Sequence, residues 1–306
     1  MTDGSAPMSI VSFRLSKSRL ALIEEATQIE TASAREAGSI AYMARLLVQV
    51  TMPHSRPGTD RFVRSNGGFT VQMLAGDAKL GLPYGSTPRL VLAWMTTEAV
   101  KTKNPELQLG ASFSAFLHDV GIIPVGQHVS GGKRGTRTYA QRQTMALFNA
   151  IVSWHYTDNR SYRGSNIPIA SEFSLAWDPL RADQETLWTS TVTMGSAFFE
   201  EVTSRPVPVD FRALKLFKRS PMRLDIYTWL TYRMSYLKTA TTIPWEYLQG
   251  QLGAGYPATQ MGLRDFKKAF LEHLQAVQIV YTQARVDVTD SGLLLKPSPT
   301  HVIRTS

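Results

Sequence analysis

Near the C-terminus, apolar residues recur with a helical period. Leu263, Phe266, Phe270, Leu274 and Val277 stand at i, i+3, i+7, i+11 and i+14, which makes one stripe of an amphipathic helix. Gln260, Arg264, Lys267 and Lys268 fall off that stripe and share another part of the helix surface. Upstream, Trp245, Leu248 and Leu252 form a shorter apolar face. Thr242 is a candidate cap there, Pro244 suits a first turn and Gly253 a stop. The result is a short helix, a Gly/Pro-rich turn and a longer basic helix starting near Thr259. That is the punctuation of a helix-turn-helix, although two packed helices with solvated charges share it.

The same kind of reading extends along the chain. Residues 1–18 form a polar tail. Residues 19–50 read as helical, with Leu22, Ala26 and Ile29 on one face. Gly38 divides that stretch from a second helix containing Ile40, Met43, Leu46 and Leu47. Residues 53–68 carry several turn signals and read as loop, followed by the strand-like FTVQML. Ser86 and Pro88 then open a helix that runs to about Lys103. ELQLG reads as a short strand, SFSAFLHDVGI as a short helix, and a glycine-rich basic connection leads into another helix. Three strand-like runs follow, IVSWHY, IPIASEFSLAW and LWTSTVTMG.

After a break expected at TSRPVPVD, where two prolines fall within three residues, a similar order recurs. It runs through the helix PMRLDIYTWLTYRMSYLK, the strand TTI, the helix pair, and a hairpin ARVDVT/GLLLKPS turned at Asp290-Ser291-Gly292. Helix, strand, two helices and strands is a winged-helix order. The expected fold is α+β, with two tandem winged-helix domains and an N-terminal helical extension. The boundaries are 1–39 for the extension, 40–203 for the first domain and 204–306 for the second.

Charge changes the picture more than composition does. The chain has 306 residues, 43% of them hydrophobic, and no cysteine, so disulfides and thiolate metal sites are excluded. No apolar run approaches the ~20 residues of a membrane span, no secretory signal is evident, and a bacterial cytoplasmic location is expected. The net charge is +9. Residues 1–204 hold 19 Lys/Arg against 17 Asp/Glu, and residues 205–306 hold 14 against 7. The excess therefore sits in the last third, together with the basic helix. Such a surface attracts polyanions by releasing their counterions, and duplex DNA is the expected partner.

In the first half, Lys133, Arg134, Arg137 and Arg142 flank the start of the second helix of its pair, with Gln141 one turn after Arg137. Gly131, Gly132 and Gly135 would let that backbone approach phosphates.

Several long segments resemble the plasmid-encoded RepA family of replication initiators. They are IAYMARLLVQVTMPHS, LPYGSTPRLVLAWMTTEAVKTKNPELQLG, SFSAFLHDVGI with the GGKRGT turn, SRPVPVDFRALKLFKRSPMRLDIYTWLTYRMSYL, IPWEYLQGQLG and VTDSGLLLKPSP. The resemblance runs from about residue 40 to 300. Where the family pattern has a bulky residue after the glycine pair, as in GGRWGT, this chain has Lys133-Arg134.

The resemblance implies an initiator built from two winged-helix domains that binds directly repeated origin sites, or iterons. The C-terminal domain would make most of the sequence-specific contacts. The first domain would hold backbone or a second stretch of groove and mediate a homodimer. The host replication initiator and the replicative helicase are the implied protein partners.

On this reading the helix after Thr259 enters a major groove. Gln260 and Arg264 reach base edges, because Arg pairs with guanine and Gln with adenine. Lys267, Lys268 and the hairpin residue Lys296 hold phosphates. An enzyme is not expected. There is no GxxxxGK[ST], HExxH or GxSxG, and the six histidines form no metal pair. No cofactor or metal is implied. Trp94, Trp229 and Trp245 are expected in the core. A transcriptional regulator with the same two domains is the alternative, and a non-DNA adaptor a third reading.

Overall fold

The computed structural model describes residues 16–49, 51–66, 69–124, 135–158, 160–176, 190–253 and 255–302. It combines helices and sheets, as expected of an α+β chain. Among the described residues no helix is long and apolar enough to cross a membrane.

The first helix, α1 (Lys17–Glu30), is capped by Ser16, whose hydroxyl accepts the Arg19 N–H. Leu22, Ala26 and Ile29 are its buried face. The second helix expected at Ile40–Met43 is absent. Those residues form strand β1 (Ile40–Met43), and only α2 (Arg45–Gln49) is helical. The reason lies far along the chain. β1 pairs antiparallel with a strand at Val207–Asp210, with Ile40 opposite Asp210 and Met43 opposite Val207. A ladder partner overrides a short helical pattern.

The break expected at TSRPVPVD falls at Arg205-Pro206, between a helix that ends at Ser204 and the strand at Val207–Asp210, whereas the second proline is taken into that strand. Pro208 stands opposite Tyr42, and the Tyr42 N–H goes to Thr97 Oγ1 at 2.9 Å. In a two-stranded ribbon each strand has a free side, so the missing proline N–H costs little.

Strands β2 (Arg61–Asn66) and β3 (Phe69–Ala75) form a hairpin, although the first lies in a segment whose sequence reads as loop. Helix α3 (Ser86–Thr102) follows and is buried on most sides. Gly85 takes the cap position at φ 78°, so Ser86 opens the helix rather than capping it. Next come β4 (Glu106–Gln108), α4 (Phe113–Asp119) and α5 (Thr136–Phe148). The half closes with β5 (Ala150–Thr157), β6 (Tyr162–Pro168), β7 (Ala170–Ser174), β8 (Thr191–Met194) and α6 (Ser196–Ser204).

The second half begins with β9 (Val207–Asp210), the partner of β1, and α7 (Phe211–Leu216). It continues through α8 (Pro221–Met234), β10 (Thr241–Pro244), α9 (Trp245–Leu252) and α10 (Gln260–Val280). It closes on β11 (Val286–Val288) and β12 (Gly292–Leu295).

The two halves repeat one plan. A long helix (α3, α8) is followed by a short strand (β4, β10), two helices and an antiparallel strand pair. Each three-stranded sheet places the last strand between the other two, in the orders β4-β8-β7 and β10-β12-β11. In the first half, β5 and β6 join the β2–β3 hairpin in a second sheet of order β2-β3-β5-β6. One buried cluster runs through both halves and includes Leu92, Phe116, Phe148, Trp229, Phe266 and Phe270. Trp229 and Trp245 are buried as expected. Trp94 is half-buried, edge-on to Phe116 at 5.3 Å.

Candidate nucleic-acid interface

Helix α10 sits where its apolar period requires. Phe266, Phe270, Leu274 and Val277 are buried, and Leu263 is half-buried beside them. Trp245 of α9 meets Phe270 edge-on at 6.0 Å, and Tyr256 from the connecting turn meets Phe266 at 5.6 Å. Thr242 lies in β10, and Pro244 takes the α9 cap position without a side-chain bond. Gly253 closes α9 with its N–H on the Gln249 carbonyl. A Cβ at Gly253 would come within 2.7 Å of that carbonyl oxygen and 3.0 Å of the Phe266 ring.

The start of α10 is clamped. The Thr259 hydroxyl accepts the Gly262 N–H at 3.1 Å, satisfying one of the helix's free donors. Gly262 is buried, and a Cβ there would stand 2.0 Å from the Pro257 carbonyl oxygen. Backbone contact of that kind fixes how the first turn is rotated, and so which side chains point outward.

Those outward residues are Gln260, Met261, Arg264, Asp265 and Lys268, all exposed. Arg264 is the most open of the two charged neighbours at 79% side-chain exposure, with its Nε 3.9 Å from Asp265 Oδ1. That contact is too loose and wet to hold it. Lys267 is placed differently. It is half-buried, with its Nζ 4.8 Å above the Trp245 ring, a cation–π contact that ties it to α9. Lys296 on β12's C-terminal side pairs with Asp287 Oδ2 at 2.5 Å, both side chains about half exposed.

The first-half cluster expected from the sequence does not come together among the described residues. Lys133 and Arg134 lie outside them. Arg137, expected to face a groove, is only 8% exposed. Its position in the first turn of α5 turns it into the protein. Gln141 is half-buried. Arg142 is exposed, but its Nη2 donates to the Lys79 carbonyl at 2.9 Å, holding the segment before α3. Arg137 and Gln141 thus form no shared outward side.

Arg64 was not legible as a site residue. It sits on β2, yet lines a cavity of about 530 Å³ with Glu246, Gln249, Tyr256, Thr259 and Gln260 of the second half. Its guanidinium lies 4.5 Å over the Phe62 ring. Its Nε and Nη2 are buried and make no hydrogen bond. Burial pushes its pKa down to about 10, and the charge of Asp225 works in the opposite direction. The only sequence signal was the alternation in Arg61-Phe62-Val63-Arg64, masked by the turn residues around it.

Residues 82–247 match the family model described as plasmid encoded RepA protein. The chain belongs to the plasmid-encoded RepA family. The match spans α3 through the first turn of α9, so α10 and the β11–β12 hairpin of this RepA-family chain lie beyond it. Among curated proteins no sequence matches significantly. Two crystal structures of domains 2 and 3 of RctB are similar to it, each at 12% identity and a TM-score of 0.49. The alignments cover 83% and 82% of this chain and 96% of each of those chains.

Proposed function

We propose that this RepA-family chain is a plasmid replication initiator that binds directly repeated origin sites in duplex DNA and helps open the origin for helicase loading. The observation that carries the reading is the outer face of α10. It is a basic helix clamped at its start, with Gln260, Arg264 and Lys268 presented together beyond a Gly/Pro turn.

The order of elements in each half, with its three-stranded sheet, supports reading both as winged-helix units. The first is taken as residues 40–203 and the second as 204–306. In that reading α9 crosses the backbone and α10 enters the major groove. Gln260 and Arg264 read base edges, Lys268 holds a phosphate, and Lys296 and Lys267 contribute charge around them. Lys133, Arg134 and Arg142 provide a second, weaker contact zone.

The action is non-catalytic. Opening draws on binding energy stored as bending and untwisting of the duplex, while a host initiator and the replicative helicase, recruited in the bacterial cytoplasm, supply the remaining steps. A homodimer belongs to the same reading.

The test is a salt-titrated gel shift on the DNA flanking the gene, with scrambled duplex as competitor. A ladder of discrete complexes, one per repeat, with a log–log salt slope of several units, is the expected result. A single complex on an inverted repeat would replace the initiator reading with that of a regulator. No salt-sensitive binding to either DNA would remove DNA as the ligand.

A further inference from the structure

Within the DNA-binding reading of α10, on which this step rests, we propose that Met261 determines sequence specificity by taking the 5-methyl group of a thymine beside the base pair met by Arg264. Met261 is 67% exposed and contributes nothing to the stripe of Phe266, Phe270, Leu274 and Val277 that buries the helix. It stands three and four residues before Arg264 and Asp265 and seven before Lys268, so the four share one face.

That face cannot rotate freely. Gly262, the next residue, is held against the Pro257 carbonyl, and Thr259 caps the same turn. A helical side chain leans toward the N-terminus. Met261 therefore projects over the leading end of α10, the end that reaches base edges when such a helix docks.

Two chemical points select the ligand. The thioether chain is apolar and adaptable and offers only a weak acceptor. In the major groove the apolar feature on offer is the thymine methyl. A phosphate gives such a side chain nothing. Asp265 makes the same point from the other sign: an exposed carboxylate at the centre of the face would be repelled by phosphates, whereas the amino group on a cytosine edge donates a hydrogen bond to it. The face around Met261 is thus suited to bases rather than to backbone.

The experiment uses the full chain and its selected duplex site, with each thymine replaced in turn by deoxyuridine, which removes only the methyl. Wild type should lose roughly fourfold in affinity at one position, the scale of one buried methyl group. Met261→Ala should lose about as much on the thymine site and nothing further on the deoxyuridine site. Met261→Leu should keep the discrimination. Specific binding that is indifferent to deoxyuridine at every position overturns the methyl contact alone. An undiminished methyl preference in Met261→Ala does the same. Loss of sequence-specific binding by the wild-type chain would overturn the DNA-reading assignment of α10 itself, and the methyl contact with it.

Discussion

Asp225 of α8 grips Arg89 of α3 with both carboxylate oxygens, Oδ1 accepting from Nε at 2.6 Å and Oδ2 from Nη2 at 2.7 Å. The two residues are 136 positions apart and join the long helices of the two halves. The guanidinium also donates to the Met52, Pro53 and Gly85 carbonyls, and His54 Nε2 lies 2.6 Å from Asp225 Oδ2. Both members of the pair are buried. A pair of this kind contributes little relative to an apolar replacement, but losing one partner strands the other charge. Asp225→Ala is expected to cost ~3–5 kcal/mol, read by urea denaturation. Combining Arg89→Met with Asp225→Leu should recover part of that loss, and additive losses would show that the two residues do not act as a unit.

For α10, Arg264→Ala is expected to weaken specific binding by ~1–3 kcal/mol and relax preference at one base pair. Lys268→Ala should instead weaken all duplexes alike and lower the salt slope by about one unit. Gel shifts on specific and scrambled DNA at three or more salt concentrations separate the two. Equal behaviour of the variants would refute the division between base and phosphate contacts.

Lys267 stands over Trp245 and should behave as a mixed case. Lys267→Ala is expected to lose DNA affinity and also ~0.5–1 kcal/mol of folding stability. A denaturation midpoint identical to wild type would mean that the ring contact carries no energy.

Gly262→Ala introduces a Cβ where the Pro257 carbonyl oxygen stands 2.0 Å away. The turn or the helix must shift, at a cost of ~1–3 kcal/mol. Because the shift falls beneath Gln260 and Arg264, sequence-specific affinity should drop although no DNA-facing group is removed. Unchanged melting and unchanged binding together would show that α10 is not clamped there.

Stability should fall on the acid side of neutrality. Burial lowers the pKa of His301 below the ordinary 6.5, and burial followed by the Arg223 charge does the same for His273. Tyr227 accepts the Asp210 N–H, which leaves its own proton for His301 Nδ1 at 2.7 Å. The unfolded chain therefore binds protons before the folded one as pH drops below 6.5. The two histidines contribute fully above that value and lose their contribution as pH falls toward their folded values. Burial raises the Asp225 carboxyl, but Arg89 and then His54 outweigh it and hold it below 3.8. Its contribution is present above 3.8 and disappears as pH falls through its lowered value. Melting temperature should decline from about pH 7 to 5 and again below about 4. A flat profile over the first interval would remove the histidine contribution.

What the sequence could disclose followed the range of the interactions involved. The α9–α10 pair and the β11–β12 hairpin were readable, because a stripe such as Phe266-Phe270-Leu274 and a turn such as Asp290-Ser291-Gly292 encode their structure within a few residues. β1 and β9 were not, because what makes Ile40–Met43 a strand is a partner that follows it only after α2 to α6 in the chain. Nothing local distinguishes it from one more helical turn. Arg137 shows a second limit. A count of positive charges near a helix start does not say which of them the core takes, and the structure takes that one. Arg64 shows the converse: a single arginine in a loop-like segment gained its surroundings only when the second half packed against β2.

The pairing of β1 with β9 also has a temporal side. Ser39 Oγ donates to Asp210 Oδ1 across 171 positions, beside the ladder that begins at Ile40. On a ribosome adding about 5–20 residues per second, β1 is made roughly ten to thirty seconds before its partner strand exists. During that interval Ile40-Ala41-Tyr42-Met43 is an apolar strand edge with nothing to pair with. The nascent chain is therefore open to association with its neighbours at a segment that, once folded, is paired with the strand opening its second half.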